Sequence, residues 1–263
     1  MKRDIASLWI GSELGEIELA SLHSFHRLGH RFVLYAYSEI RNVPSFVELR
    51  DAAEIFPTKK ILRHKKTGSP ALHSDLFRYA LMAKTDLVWC DLDVIALREF
   101  DFVGDFVFAH EHTHTVGCSV LRLPKNSRAL MALLSVKPET KGMPPHLRGF
   151  RRAKYRLRST LTGGIPIEKW PWGAIGPSLL TEALRTTGEI SAALPVNAFY
   201  SVPMSGAWRF CEPGGYSRGD APDEAYAVHL WAQKLRQYVN DKYDGQFPEG
   251  SFVRQELGEH ALR

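Results

Sequence analysis

The sequence predicts an α/β protein. The first forty residues read as strand, helix and strand. Leu87-Val88-Trp89-Cys90 is too short for a helix and too apolar for a loop, so it reads as a strand buried on both faces. The 263 residues, 44% hydrophobic, are enough for the core of one domain with an elaborated second half.

Ile5–Ile10 forms the first predicted strand. Residues 14–28 follow as a helix, with Leu14, Ile17, Leu22, Phe25 and Leu28 inward, Glu18 outward and Gly29 as its stop. Arg31–Tyr37 is the second strand, which completes a βαβ start and implies a parallel pair. Asp51–Phe56 is a short segment and residues 59–70 a basic loop. Ser69-Pro70 then caps a helix whose Leu76, Ala80 and Ala83 share an apolar face. Beyond the Leu87–Cys90 strand, Phe102–Ala109 and Ser119–Leu123 read as strands and Ser127–Leu134 as a helix. Ser178–Thr187 is an amphipathic helix opened by Gly176-Pro177 and closed by Gly188, and Tyr226-Ala227-Val228 is strand-like.

The chemistry concentrates in residues 73–93. Side chains alternate along a strand, so Asp91 and Asp93 leave the end of the Leu87–Cys90 strand on one side. Neighbouring buried carboxylates need a cation or protons to neutralise them, and hard cations such as Mg2+ and Mn2+ favour oxygen ligands. The alternative is a turn that happens to hold two Asp. Asp75 and Arg78 are neighbours on the preceding helix, either as a solvated ion pair or as a pair reaching a ligand. In His110-Glu111-His112-Thr113-His114, a strand would place the three histidines on one side, where zinc is one reading, and Glu111 on the other. A lone His229 after an apolar run is a structural histidine or a ligand. Between Lys137 and Arg158 eight basic residues stand against one acid, Glu139, among Gly and Pro. That stretch is a solvated excursion, or a platform for an anionic acceptor or anionic membrane lipid.

Ser74-Asp75-Leu76-Phe77-Arg78-Tyr79 and Trp89-Cys90-Asp91-Leu92-Asp93 together resemble the S-D-x-x-R-Y…D-x-D signature of glycosyltransferases with a DXD sugar-binding region. That family includes α1,4-galactosyltransferase-like and capsular polysaccharide enzymes. Leu8-Trp9-Ile10-Gly11 is similar to its opening strand. The run from Trp172 through Gly176-Pro177 to Leu179-Leu180-Thr181 is similar to its W-x-x-x-G-P-x-x-L-T segment, and Ala227-Val228-His229-Leu230-Trp231 to its V-H-x-W segment. The resemblance spans roughly residues 5–235. It departs at Lys84-Thr85-Asp86, where the family has Gly-Gly before an apolar residue, and after Glu111, where the family often has Asn.

The resemblance implies a GT-A-type, Rossmann-like mixed sheet flanked by helices, with residues 1–263 as one domain. Residues 1–125 would be the nucleotide-sugar half and 126–263 the acceptor-side half with the basic excursion 137–158. It implies a hexosyltransferase using Mn2+ or Mg2+ to move a sugar, UDP-linked by preference, to a glycan or glycolipid acceptor with retention. Asp93, His229 and Asp91 would hold the metal; Trp9, Asp75, Arg78 and Asp91 the donor; Asp91, Asp93 and Glu111 would serve catalysis. The rival enzyme is a haloacid dehalogenase-like phosphatase, which also ends a strand with D-x-D but follows it with x-Thr where Val94-Ile95 stands here. The non-enzyme rival is a silent sugar-nucleotide-binding module.

The net charge of +5 favours acidic partners. The three widely spaced cysteines suit a reducing cytoplasm. No apolar run is long enough to cross a membrane, and Met1-Lys2-Arg3-Asp4 leads into a strand pattern rather than a secretion signal. The expected location is therefore cytoplasmic, with peripheral contact at the inner membrane face. Nucleic acid is not an expected partner, because no nucleic-acid motif is present.

Overall fold

The computed structural model describes residues 2–258. The chain runs β1 (Ile5–Trp9), α1 (Glu16–Arg27), β2 (Phe32–Ala36), β3 (Glu48–Asp51), α2 (Ala71–Lys84), β4 (Val88–Cys90), β5 (Val94–Ala96), β6 (His110–His112), β7 (Thr115–Val116) and β8 (Val120–Leu121). It continues through α3 (Arg128–Leu134), β9 (Lys141–Gly142), α4 (Gly149–Leu161), β10 (Ile165–Pro166), α5 (Pro177–Thr187), β11 (Ala227–His229), α6 (Ala232–Tyr243) and α7 (Phe252–Leu257).

Strands β1 and β2 are buried almost throughout, which is why both faces of the sheet are covered. The five-stranded sheet has the order β3-β2-β1-β4-β8, parallel except for the last pairing. Alternation sorts the side chains into two layers. Ile5, Phe32, Leu34, Val88 and Cys90 pack with Leu22 and Phe25 of α1. Ala6, Leu8, Val33, Tyr35 and Trp89 pack with Leu76, Phe77 and Leu81 of α2. Helices therefore flank the sheet, as the sequence predicts. The chain winds from β1 to one side as β2 and β3 and to the other as β4. The order thus reverses between β1 and β4, where open α/β sheets present ligands at their strand C-termini.

The helix signals act as expected. Acids open α1 and bases close it, and Gly29 at φ 69° ends it. Pro177 occupies the first turn of α5, and Gly188 at φ 80° stops it. Ser69 Oγ accepts from Ala71 N at 3.2 Å, although the cap position itself falls on Pro70.

Several expectations are corrected. Glu18 is buried, not outward: α6 lies over it, so one carboxylate oxygen takes Arg236 and the other accepts from Gly15 N at 3.1 Å. Asp75 and Arg78 are buried too, because the 172–177 segment covers that side of α2. Phe102–Ala109 is not a continuous strand. Its backbone changes partners, with Val107 bridging Arg122 and Ala109 bridging Leu194. The His110–His114 stretch is a hairpin rather than one strand, since β6 turns back onto β7 with a register shift after His110. The basic excursion contains a full helix, α4. Helices α6 and α7 and the short turns of residues 189–220 have no counterpart in the sequence reading.

Behind the site, His73 joins α2 to the loop that precedes it. Its Nδ1 accepts from Leu62 N at 3.3 Å, and its Nε2 meets Tyr37 Oη at 2.9 Å. Tyr37 Oη donates onward to Phe56 O at 2.6 Å, so neutral imidazole with its proton on Nε2 satisfies the whole chain. Burial holds His73 down at about 4, against 6.5 for a free histidine. Between those values the unfolded chain takes up a proton that the folded one refuses. Stability is thus full above pH 6.5 and falls by roughly 1.4 kcal/mol per unit as the pH drops toward 4. Urea midpoints measured across that window should show this slope, and His73→Gln should remove its histidine share. An unchanged slope in the variant would refute the assignment.

Candidate functional site

The site begins where β4 leaves the sheet. Cys90 and Trp89 bury to opposite sides, and Asp91 then anchors backward, its N donating to Ser119 O at 2.7 Å beside β8. The Trp89 indole nitrogen donates to Asp91 Oδ1 at 2.8 Å. Arg78 Nη2 reaches the same oxygen at 3.2 Å and Asp75 Oδ1 at 3.5 Å. The guanidinium stacks over the Trp89 ring at 4.7 Å and donates to Cys118 O. One buried arginine thus serves two carboxylates.

Asp93 is held from the opposite side. β11 runs antiparallel to β5 with His229 opposite Val94, which brings His229 Nε2 to 3.2 Å from Asp93 Oδ2. Trp231 has left-handed backbone, φ 57°, a conformation rare outside glycine. That turn aims Ala232 N, at the start of α6, at Asp93 Oδ2, 2.8 Å away. The N-terminal end of α6 therefore faces a carboxylate, which its dipole favours.

Environment separates the three carboxylates. Burial pushes Asp75 up to about 7, against the pull of Arg78, with Asp91 adding to the rise. Burial also raises Asp91 despite Arg78. Burial opposes ionisation of Asp93 as well, but the His229 ring and the Ala232 N–H outweigh it and hold the acid at about 2. His229 is raised in turn: burial works against its charge, and Asp93 more than compensates. Asp93 and His229 therefore each favour the other's charged form, whereas burial opposes charge on Asp75 and Asp91.

These groups open onto a cavity of about 510 Å³. Asp75, Arg78, Asp91, Asp93, Glu111 and His229 all line it, so six of the seven singled-out residues meet in one place. Trp9 lies outside the lining and gives its indole N–H to Glu13 O at 3.0 Å. The 172–177 segment forms the facing wall. Tyr79 Oη donates to Ile175 O at 2.8 Å, and a Cβ on Gly176 would stand 2.8 Å from Asp75 Oδ1, so only glycine lets that wall close on α2. Tyr200, Met204, Lys234 and Gln237 also line the cavity without having been singled out in the sequence. Lys234 and Gln237 share α6, and the only hint of them is the helical pattern following Val228-His229-Leu230-Trp231.

Asp91, Asp93 and His229 each offer a ligand atom within 4.8 Å of the others, a group able to hold a metal ion and the only such group among the described residues. A divalent cation fits it on two grounds. Two carboxylates and an imidazole suit Mn2+, and Mg2+ through the oxygens. Burial also raises both Asp75 and Asp91, which a cation beside them would counter, and His229 Nδ1 is buried with no hydrogen-bond partner. His110, His112 and His114 form no comparable group among the described residues, because the hairpin separates them, and His112 is exposed.

No family model matches the sequence, and no curated protein matches it. Among solved structures, the chain is similar to one titled PaToxG Glycosyltransferase. The match covers 97% of this chain and 83% of that one, at 14% identity and a TM-score of 0.45.

The cavity wall depends on one further glycine. A Cβ on Gly117 would sit 2.1 Å from Tyr200 Oη, which pairs with Ser119 Oγ at 2.6 Å. Gly117→Ala should force the buried Tyr200 ring aside and cost about 1–3 kcal/mol. At Gly104 a Cβ meets nothing nearer than 4.0 Å, so Gly104→Ala should be close to neutral. Urea unfolding of the two variants side by side checks this, and equal stabilities would contradict the packing.

Proposed function

We propose that this protein is a metal-dependent glycosyltransferase, a hexosyltransferase of GT-A type. It would move a sugar from a nucleotide-sugar donor, a UDP-sugar first of all, to a glycan or glycolipid acceptor, with retention. The observation that carries the reading is the Asp91–Asp93–His229 group at the C-terminal end of β4, beside the reversal of strand order, with Asp75 and Arg78 in the same cavity wall. A diphosphate needs a cation partner, and such a donor set beside a large cavity supplies one.

On this reading Asp93, Asp91 and a neutral His229 would hold Mn2+ or Mg2+, which would supply Lewis-acid neutralisation of the charge on the departing diphosphate. The Asp93–His229 pair and the Ala232 N–H fix the Asp93 carboxylate in one orientation. Arg78, locked by Trp89, Asp91 and Cys118 O, keeps Asp91 facing the cavity and offers its charge to donor oxygens. Asp75 accepts from sugar hydroxyls. Glu111, in the lining, faces the reacting sugar or the acceptor. Trp9 packs beside the base at the mouth of the sheet. Residues 1–125 supply most of the donor side, and His229 and α6 close it from the second half.

Asp93→Asn keeps an acceptor for Ala232 N but removes the charge. UDP binding should then lose its dependence on Mn2+, and turnover should fall by orders of magnitude, as expected for several kcal/mol of lost charge stabilisation. Calorimetric titration of UDP with Mn2+ or with EDTA reads this directly. Undiminished Mn2+-dependent binding would reject the metal assignment. Asp75→Asn should impair sugar transfer more than binding of free UDP, since that carboxylate is assigned to the sugar. Release of inorganic phosphate from phosphomonoesters, with no turnover of sugar nucleotides, would instead establish the phosphatase chemistry.

A further inference from the structure

Helix α4 has no buried residue along its thirteen positions. Its largest apolar side chains, Phe150, Leu157 and Leu161, are 85%, 65% and 77% exposed. They stand at i, i+7 and i+11, and Ala153 lies between them, so at 3.6 residues per turn they form one outward ridge. Lys154, Arg158 and Arg151 flank the ridge on one side and Arg156 on the other, all exposed, while Arg152 lies nearly opposite the ridge. Between residues 137 and 161 the only acid is Glu139.

The opposite face of the helix is tied down. Tyr155 packs against the main apolar cluster. Arg148, at the helix start, pairs with Glu182 of α5. β9 and β10 pair at the base of the excursion, Lys141 with Pro166 and Gly142 with Ile165, and so clasp its two ends together. The helix is therefore presented as a fixed bar, about 20 Å long, with its apolar ridge outward.

We propose that α4 is a docking surface for an anionic lipid bilayer, lying flat in the headgroup region with Phe150, Leu157 and Leu161 inserted and the four flanking bases on lipid phosphates. An apolar ridge between two basic flanks is complementary to such an interface, because long basic side chains bury their stems and keep their charges at headgroup level. Anionic lipid attracts clustered Lys and Arg from the aqueous side. A protein groove that engulfs a basic amphipathic helix needs access around most of it, and the Tyr155 side is closed by the body of the protein. A flat surface needs only the ridge.

Neither donor nor metal enters the measurement, so this inference and the proposed sugar transfer stand or fall separately. The whole chain is sedimented with vesicles of phosphatidylcholine alone or of phosphatidylcholine and phosphatidylglycerol in equal parts. The parent should bind the mixed vesicles and not the neutral ones, and less at high salt. The exposed triple variant F150S/L157S/L161S, verified as folded by circular dichroism, should bind at least about tenfold more weakly. The variant R151S/K154S/R156S/R158S should bind weakly and with little salt dependence. As a readout that leaves the surface intact, Phe150→Trp should show blue-shifted indole emission only with the mixed vesicles. The proposal is overturned if the parent ignores mixed vesicles, if it binds both kinds equally, if the triple variant binds like the parent, or if calmodulin captures the helix while vesicles do not.

Discussion

The structure depends on placing several carboxylates together at the end of β4, with Asp75 buried and Asp91 and Asp93 partly so. A buried charge is costly unless it is paired and hydrogen-bonded, and here the pairs come from every side. Arg78 reaches in from α2, His229 from β11 and the Ala232 N–H from α6. Each partner sits on a different element, so the carboxylates hold the sheet, the flanking helix and the C-terminal segments in one arrangement. Burial still opposes charge on Asp75 and Asp91, and a cation beside them would counter that opposition.

The elements that hold these groups are themselves held by buried polar contacts rather than by apolar packing alone. Ser21 Oγ donates to Val94 O at 2.7 Å and Ser24 Oγ accepts from Ala96 N at 2.9 Å, so α1 fastens β5, the strand that follows Asp93. Glu18 fastens the other end of the same arrangement by binding Arg236 of α6. Arg27 and Arg218 meet on Glu256 and tie α7 beneath them. A residue that looks like surface decoration in the helical pattern, Glu18, therefore helps set where the N-terminus of α6 points.

A rigid interior contrasts with one unusual exterior feature. The site's walls are closed by tight backbone approaches at Gly117 and Gly176, which admit no side chain. Helix α4 is fixed at its base, and among the described residues nothing covers its apolar ridge. Among the described residues no helix is long and apolar enough to cross a membrane.

The sequence by itself determined the βαβ opening, the doubly buried β4, the ends of α1 and α5, and six residues that converge on one cavity. These were legible because hydrophobic period, glycine and proline punctuation and short motifs are local signals. Tertiary structure alone decided that Glu18, Asp75 and Arg78 are inside, because burial of a helix face depends on what later packs over it: α6 in one case, the 172–177 wall in the other. It also decided that Phe102–Ala109 splits between two partners and that the histidine run folds back on itself, since strand pairing is a property of two segments. Helix α4 escaped notice for the complementary reason. Its apolar residues face outward, so the periodicity is present but belongs to no core, and the density of Arg and Lys reads as a solvated loop. Only the folded chain, with Tyr155 inward and Phe150, Leu157 and Leu161 outward, shows which face is which.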